Sequence, residues 1–178
     1  MNTAIRITET ERLILRHFTS DDLQDMVEVL GHPEVMKFSL SGPLSLEQTR
    51  DFINRTIAGY ADRGFGLWAV QEKSSNRVIG YCGNYFPIID GVEEVELGYR
   101  LARSYWGRGL ATEAAKAAMR YSFETQKLSR LVAMIDPENL ASITVVRKCG
   151  FRYEKSSTFH DISINVYSLS SEDYYRIA

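Results

Sequence analysis

The stretch Tyr105-Trp106-Gly107-Arg108-Gly109-Leu110-Ala111-Thr112 leaves an apolar segment, turns through two glycines and enters an alanine-rich run. It has the chemistry of an anion cradle at a strand-to-helix connection. Glycine lets backbone come close to a ligand without a Cβ in the way, and the amides of a first helical turn have no partner inside the helix. The helix dipole adds favourable potential for negative charge, about 0.3–1 kcal/mol at an exposed terminus, and a pyrophosphate suits such a place. Two other phosphate loops fail on spacing. A dinucleotide fingerprint needs a third glycine where Thr112 stands, and a P-loop needs Lys then Ser or Thr where Leu110 and Ala111 follow Gly109. A lone Gly-x-Gly would signify no more than a tight connection; the surrounding residues decide for the cradle.

Downstream of the glycines, residues 109–126 are dominated by alanine and other helix formers, set between a strand at 92–101 and a short apolar strand at 131–135. Strand, helix, strand implies a parallel pair joined by a right-handed crossover. A further helix over 140–149 stops at Gly150, and two strands at 151–158 and 162–168 pair as a hairpin before a short tail helix. Upstream, residues 12–18 alternate as a strand buried on both faces. Ser20–Asp22 cap a helix with Leu23, Met26, Val27 and Leu30 at helical spacing, ending near Gly31 and Pro33. Ser45 and Gln48 form a capping box that opens a longer helix carrying Leu46, Thr49, Phe52, Ile53, Ile57 and Tyr60 up to Gly64. Segments 67–71 and 78–86 flank a Ser/Asn turn and make a hairpin. The expectation is an α/β fold, a mixed central sheet of about seven strands flanked by helices, in one domain spanning 1–178.

Composition narrows the function classes. With 21 basic against 23 acidic residues the formal charge is −2, so nothing draws the chain generally to nucleic acid or acidic lipid, and a polyanionic ligand must be held locally. No apolar run approaches the roughly 20 residues of a membrane span. The polar start, residues 1–11, lacks a basic flank and apolar stretch, which makes a cytoplasmic location the expectation. Cys82 and Cys149 lack CxxC spacing and read as buried free thiols. His17, His32 and His160 lie far apart and show no ligand spacing, so no metal is expected.

At this point the glycine segment resembles the coenzyme A pyrophosphate loop of the GNAT superfamily: Gln or Arg, two residues, Gly, one residue, then Gly or Ala. Gly109 and Ala111 match its last two positions. Trp106 stands where Gln or Arg is usual, which resembles the branch of ribosomal-protein N-terminal alanine acetyltransferases. A second block, Asp136-Pro137-Glu138-Asn139-Leu140-Ala141-Ser142 followed by Val145, Val146, Arg147, Lys148, Cys149, Gly150 and Phe151, looks like the family's second cofactor motif. The resemblance runs from about Thr10 to Ser168.

It implies a GNAT-like fold and acetyl-CoA as cosubstrate. Strands 94–102 and 131–135 would part to admit pantetheine, held by backbone groups of Tyr99, Arg100 and Leu101. The loop of Trp106, Gly107, Arg108, Gly109, Leu110, Ala111 and Thr112 would take the pyrophosphate, with its amides from Gly107 onward pointing at it. Asn139 would bond the pantetheine arm or neighbouring backbone, and Arg147 and Lys148 either approach the adenosine or form a solvated face.

An amine acceptor must lose a proton before attacking a thioester, because reference values are about 7.7–8.0 for an α-amino group and about 10.4 for lysine. Glu96 is the candidate base, since many family members carry glutamate two residues before the position of Gly98. Glu94 competes, because a period of two puts it on the same face. The alternative for Glu96 is pairing with an arginine. Many relatives donate a proton to the departing thiolate from a tyrosine where this chain has Val146; Ser142 takes that role here, with helix capping near Asn139 as its alternative. Phe65, Trp68, Tyr81, Tyr85 and Phe86 either line an acceptor pocket or pack the core. The expected activity is N-acetylation of a primary amine, foremost a protein N-terminus. A polyamine or aminoglycoside acceptor, or a catalytically silent acyl-CoA sensor, stand as alternatives, and a homodimer through the terminal strands is left open.

Overall fold

The alternating stretches fold into one eight-stranded sheet, and the stretches of helical period cover its two faces. The computed structural model describes residues 4–178; residues 1–3, part of the polar start and of the expected domain, lie outside the described residues. The strands are β1 (Arg6–Glu9), β2 (Leu13–Arg16), β3 (Leu67–Glu72), β4 (Val78–Tyr85), β5 (Ile88–Ile89), β6 (Val92–Glu93), β7 (Glu96–Leu101), β8 (Arg130–Ile135), β9 (Arg152–Phe159) and β10 (Ile162–Ser170). The helices are α1 (Leu23–Leu30), α2 (Leu46–Arg63), α3 (Leu110–Arg120), α4 (Leu140–Lys148) and α5 (Ser171–Ile177).

The sheet order is β1-β2-β3-β4-β7-β8-β10-β9, with every neighbouring pair antiparallel except β7 and β8. The strand beyond the expected seven is β1, an edge strand too short and too exposed to carry an apolar alternation. The strand expected at 92–101 is divided. Its first two residues pair with β5 in a separate ribbon, and β7 begins only at Glu96.

One face of the sheet packs Leu13, Leu15, Trp68, Leu97 and Leu101 against Ala114, Ala115, Ala117 and Ala118 of α3, whose short side chains let the helix lie close. The other face packs Met26, Leu30 and Ile53 of α1 and α2 against Leu67, Ala69 and Tyr81. Each buried leucine contributes about 1.5–3 kcal/mol. The capping box at Ser45 and Gln48 forms as expected, with Gln48 N donating to Ser45 Oγ at 3.2 Å and Ser45 N to Gln48 Oε1 at 2.9 Å. Gly64 at φ 75° ends that helix and Gly150 at φ 91° follows α4, both in the left-handed region that favours glycine.

Candidate active site

Strands β7 and β8 touch only where they start. Their register holds one matched pair, Glu96 with Val132, beside a bond from Val132 N to Val95 O at 2.9 Å. A continuing parallel ladder would next run from Met134 N to Leu97 O. Instead Met134 N donates to the Glu96 carboxylate at 3.2 Å, so Glu96 takes the first amide that the diverging strands leave unpaired. Strand parity shows which β7 groups face the opening. Glu94 N donates to Pro87 O and Ala102 N to Ile79 O, so even-numbered residues direct backbone groups to the β4 side and odd-numbered ones to the β8 side. Tyr99 therefore presents its N–H and C=O to the gap. Leu101 presents its amide there, while its carbonyl accepts the Trp106 indole N–H at 2.8 Å. Arg100 corrects the sequence expectation: it is matched with Tyr81 in the β4 ladder, so its backbone groups do not face the gap.

At the end of that opening, Gly107 and Gly109 sit at φ 74° and 76°, and Gly109 is the N-cap of α3. A Cβ on Gly107 would meet nothing within 4 Å, so the loop is open on that side. The Leu110, Ala111 and Thr112 amides begin the helix and have no carbonyl one turn earlier to bond. Two ion pairs brace the loop. Arg12 donates to the Arg108 carbonyl at 2.9 Å and to Glu113 of the first α3 turn at 2.7 Å, and Arg108 pairs with Glu72 at 2.8 Å. Burial alone would raise the Glu113 carboxyl, but bonds from Thr10 and from the Arg12 amide and guanidinium outweigh it and hold the group below the usual carboxylate range. Arg12 and Glu113 escape sequence reading because 101 residues separate them and neither lies in a motif.

Around Glu96 the environment is less polar. Burial pushes its carboxyl up from 4.5 to about 7, against the pull of the Met134 amide and the Arg100 charge. Among the described residues it has no ion-pair partner. The carboxylate fixed by an arginine is Glu94 instead, 2.9 Å from Arg130, and it lies outside β7. The Tyr85 ring packs over Gly98, where a Cβ would come within 2.6 Å of it, and its hydroxyl donates to Tyr81 at 2.9 Å. Tyr81 and Tyr85 thus share the face of Glu96, and Phe65 and Phe86 meet edge to face at 5.3 Å. Trp68 is fully buried in the opposite core beneath α3.

Across the gap, the Tyr99 hydroxyl lies 2.9 Å from Ser142 Oγ and 3.0 Å from the Ser142 carbonyl. A tyrosine side chain on β7 therefore contacts the serine singled out from sequence, a partnership that strand assignment alone does not reveal. Asn139 is the N-cap of α4, accepting from Ser142 N at 3.2 Å, so the capping role falls to Asn139 and leaves the Ser142 hydroxyl to Tyr99. Arg147 and Lys148 are exposed on α4.

A mixed sheet opened between two parallel strands, with a glycine loop leading into a helix at the opening, defines an acyltransferase architecture. The family described as the acetyltransferase (GNAT) domain matches residues 12–152, and the chain belongs to that family as an acetyl-CoA-using N-acetyltransferase. It is 33% identical to the YkkB protein of Bacillus subtilis over 96% of this chain and 99% of the relative. It is 32% identical to the N-acetyltransferase p20 of Bacillus licheniformis, over 93% and 96% respectively. The crystal structure of a GNAT-family acetyltransferase from Bacillus anthracis superposes with a TM-score of 0.80 at 28% identity, covering 96% of this chain and 99% of that one.

Proposed function

We propose that the chain acetylates the α-amine of a peptide or protein N-terminus, with Glu96 as the base. The observation that carries this reading is a carboxyl group at the mouth of the β7–β8 opening with its pKa raised by burial to about 7. A base near the operating pH combines a usable ionised fraction with enough affinity to take the proton. Acetyl-CoA supplies the activated acetyl thioester. The amides of 107–112 hold its pyrophosphate, and the gap-facing backbone of Tyr99 and the Leu101 amide hold the pantetheine as an added strand would. Asn139 shapes the α4 entry. The amine nitrogen bonds the acetyl carbon as the C–S bond breaks; Glu96 takes one proton of the ammonium, and the second reaches the departing sulfur by way of Ser142 Oγ, which is backed by the Tyr99 hydroxyl.

Two relatives bear on the acceptor. The chain is 34% identical to the Escherichia coli ribosomal protein uS5 alanine N-acetyltransferase over 51% of this chain and 45% of that one, and 27% identical to the Escherichia coli spermidine N(1)-acetyltransferase over 85% and 78% respectively. Site charge favours the first. Asp90, Glu93 and Glu94, the acids leading into β7, are bound by Lys155, Arg63 and Arg130, which leaves them poorly placed to receive a polycation. The test is thiol release from acetyl-CoA against N-terminal peptides, polyamines and aminoglycosides, with acceptor-free hydrolysis as blank. Peptide-selective release supports the reading. Release with polyamines alone overturns the acceptor class, and tight acetyl-CoA binding with no release favours a sensor.

A further inference from the structure

Resting on the reading of the Glu96 face as the acceptor site, we propose that the Arg100 side chain selects acceptors that carry a carboxylate in the same molecule as the amine. Glu96, Gly98 and Arg100 alternate onto one face of β7, and Gly98 leaves no side chain between the other two. The Tyr85 ring lies over that glycine and pairs with Tyr81, so the carboxyl and the guanidinium flank one aromatic patch.

The guanidinium is half-buried and donates to the Met36 thioether at 3.0 Å, with the Tyr81 ring 6.0 Å away. A thioether is a weak acceptor, and an aromatic face supplies only partial negative charge. Arg16, Arg63, Arg103 and Arg130 each hold a carboxylate within 3.1 Å, whereas among the described residues none lies within ion-pair reach of Arg100. The carboxyl that feels the Arg100 charge is Glu96, which lies beyond ion-pair distance, and the planar fork of donors matches a carboxylate. The Cα atoms of residues 96 and 100 are about 13 Å apart at about 3.3 Å per strand residue. An extended peptide with its amine at Glu96 therefore meets Arg100 within its first four residues.

The experiment uses the full chain and compares kcat/KM for hexapeptides that begin with alanine and carry Asp at residue two, three or four with their Asn counterparts. A second arm compares free ω-amino acids with their amides. The expected result is a preference of about tenfold or more for the acid at one position or in the amino-acid arm, the scale of one partly solvated charge-assisted hydrogen bond. Arg100→Gln brings that ratio to about twofold or less, and Arg100→Lys restores part of it. The arm that shows the preference identifies the carboxylate's source. Equal acetylation of acids and amides by the unaltered chain overturns the assignment without needing a folded variant, and so does an undiminished preference in Arg100→Gln. Transfer to no amine at all overturns the acceptor-site reading as well, and is told apart by the absence of product.

Discussion

Replacing Glu96 by glutamine keeps an oxygen for the Met134 amide and removes the titrating group. With the carboxyl at about 7, about a tenth of it is ionised at pH 6 and about nine-tenths at pH 8. The ratio kcat/KM for the peptide, which reports the groups of the protein before peptide binds, should therefore rise by up to about tenfold over that interval. The glutamine variant should lose this limb and run about a hundredfold slower or more at pH 7, recovering partly at alkaline pH as free amine accumulates. Stability gives an independent reading. A raised carboxyl pKa means the fold prefers the protonated form, so the stability it contributes is complete below pH 4.5 and is lost as pH rises through about 7. At 1.36 kcal/mol per pH unit that loss has a ceiling of about 3 kcal/mol. The variant should thus melt above the unaltered protein at pH 8, with the difference gone near pH 4. Stopped-flow or steady-state thiol release measures the rates, and circular dichroism the melting. A variant that keeps full turnover, or keeps a limb with its midpoint near pH 7, would refute Glu96 as the base.

Gly109→Asp places a side chain at φ 76° and a negative charge in the phosphate cradle, so acetyl-CoA binding should disappear from calorimetry while the far-ultraviolet spectrum is retained; unchanged affinity would remove the loop assignment. Tyr99→Phe deletes the hydroxyl that meets Ser142 but keeps the backbone facing the gap, so turnover should fall about tenfold with coenzyme affinity little changed. An equal loss in both would make Tyr99 a structural residue. Arg12→Ala should weaken acetyl-CoA binding by about threefold to tenfold, because the Arg108 carbonyl and Glu113 lose the guanidinium that ties them together while Glu113 keeps its bonds from Thr10 and the backbone amide of residue 12, and the effect should show in the dissociation rate.

The glycine loop, the capping box at Ser45 and the crossover helix were legible because each rests on residues close in sequence. The opening itself was legible only through family resemblance. It depends on the β7–β8 register, set by a strand that starts at Glu96 and by Met134 turning its amide to a side chain. The same parity explains Arg100, whose number placed it beside Tyr99 but whose backbone turns to β4. Periodicity ranked Glu94 with Glu96; the distant Arg130 separates them. Strand β1 carried too little apolar pattern to be read, and Arg12–Glu113 joins segments no local signal connects.

The central claim, acetyl transfer to an α-amine with Glu96 as the base, is tested most directly by mass spectrometry of an alanine-initiated peptide that contains an internal lysine, incubated with acetyl-CoA at pH 7. The account predicts one acetyl group, mapped by fragmentation to the α-amine, formed by the unaltered protein and nearly absent with Glu96→Gln over the same time. Acetylation of the lysine instead, or equal product from both proteins, would contradict it.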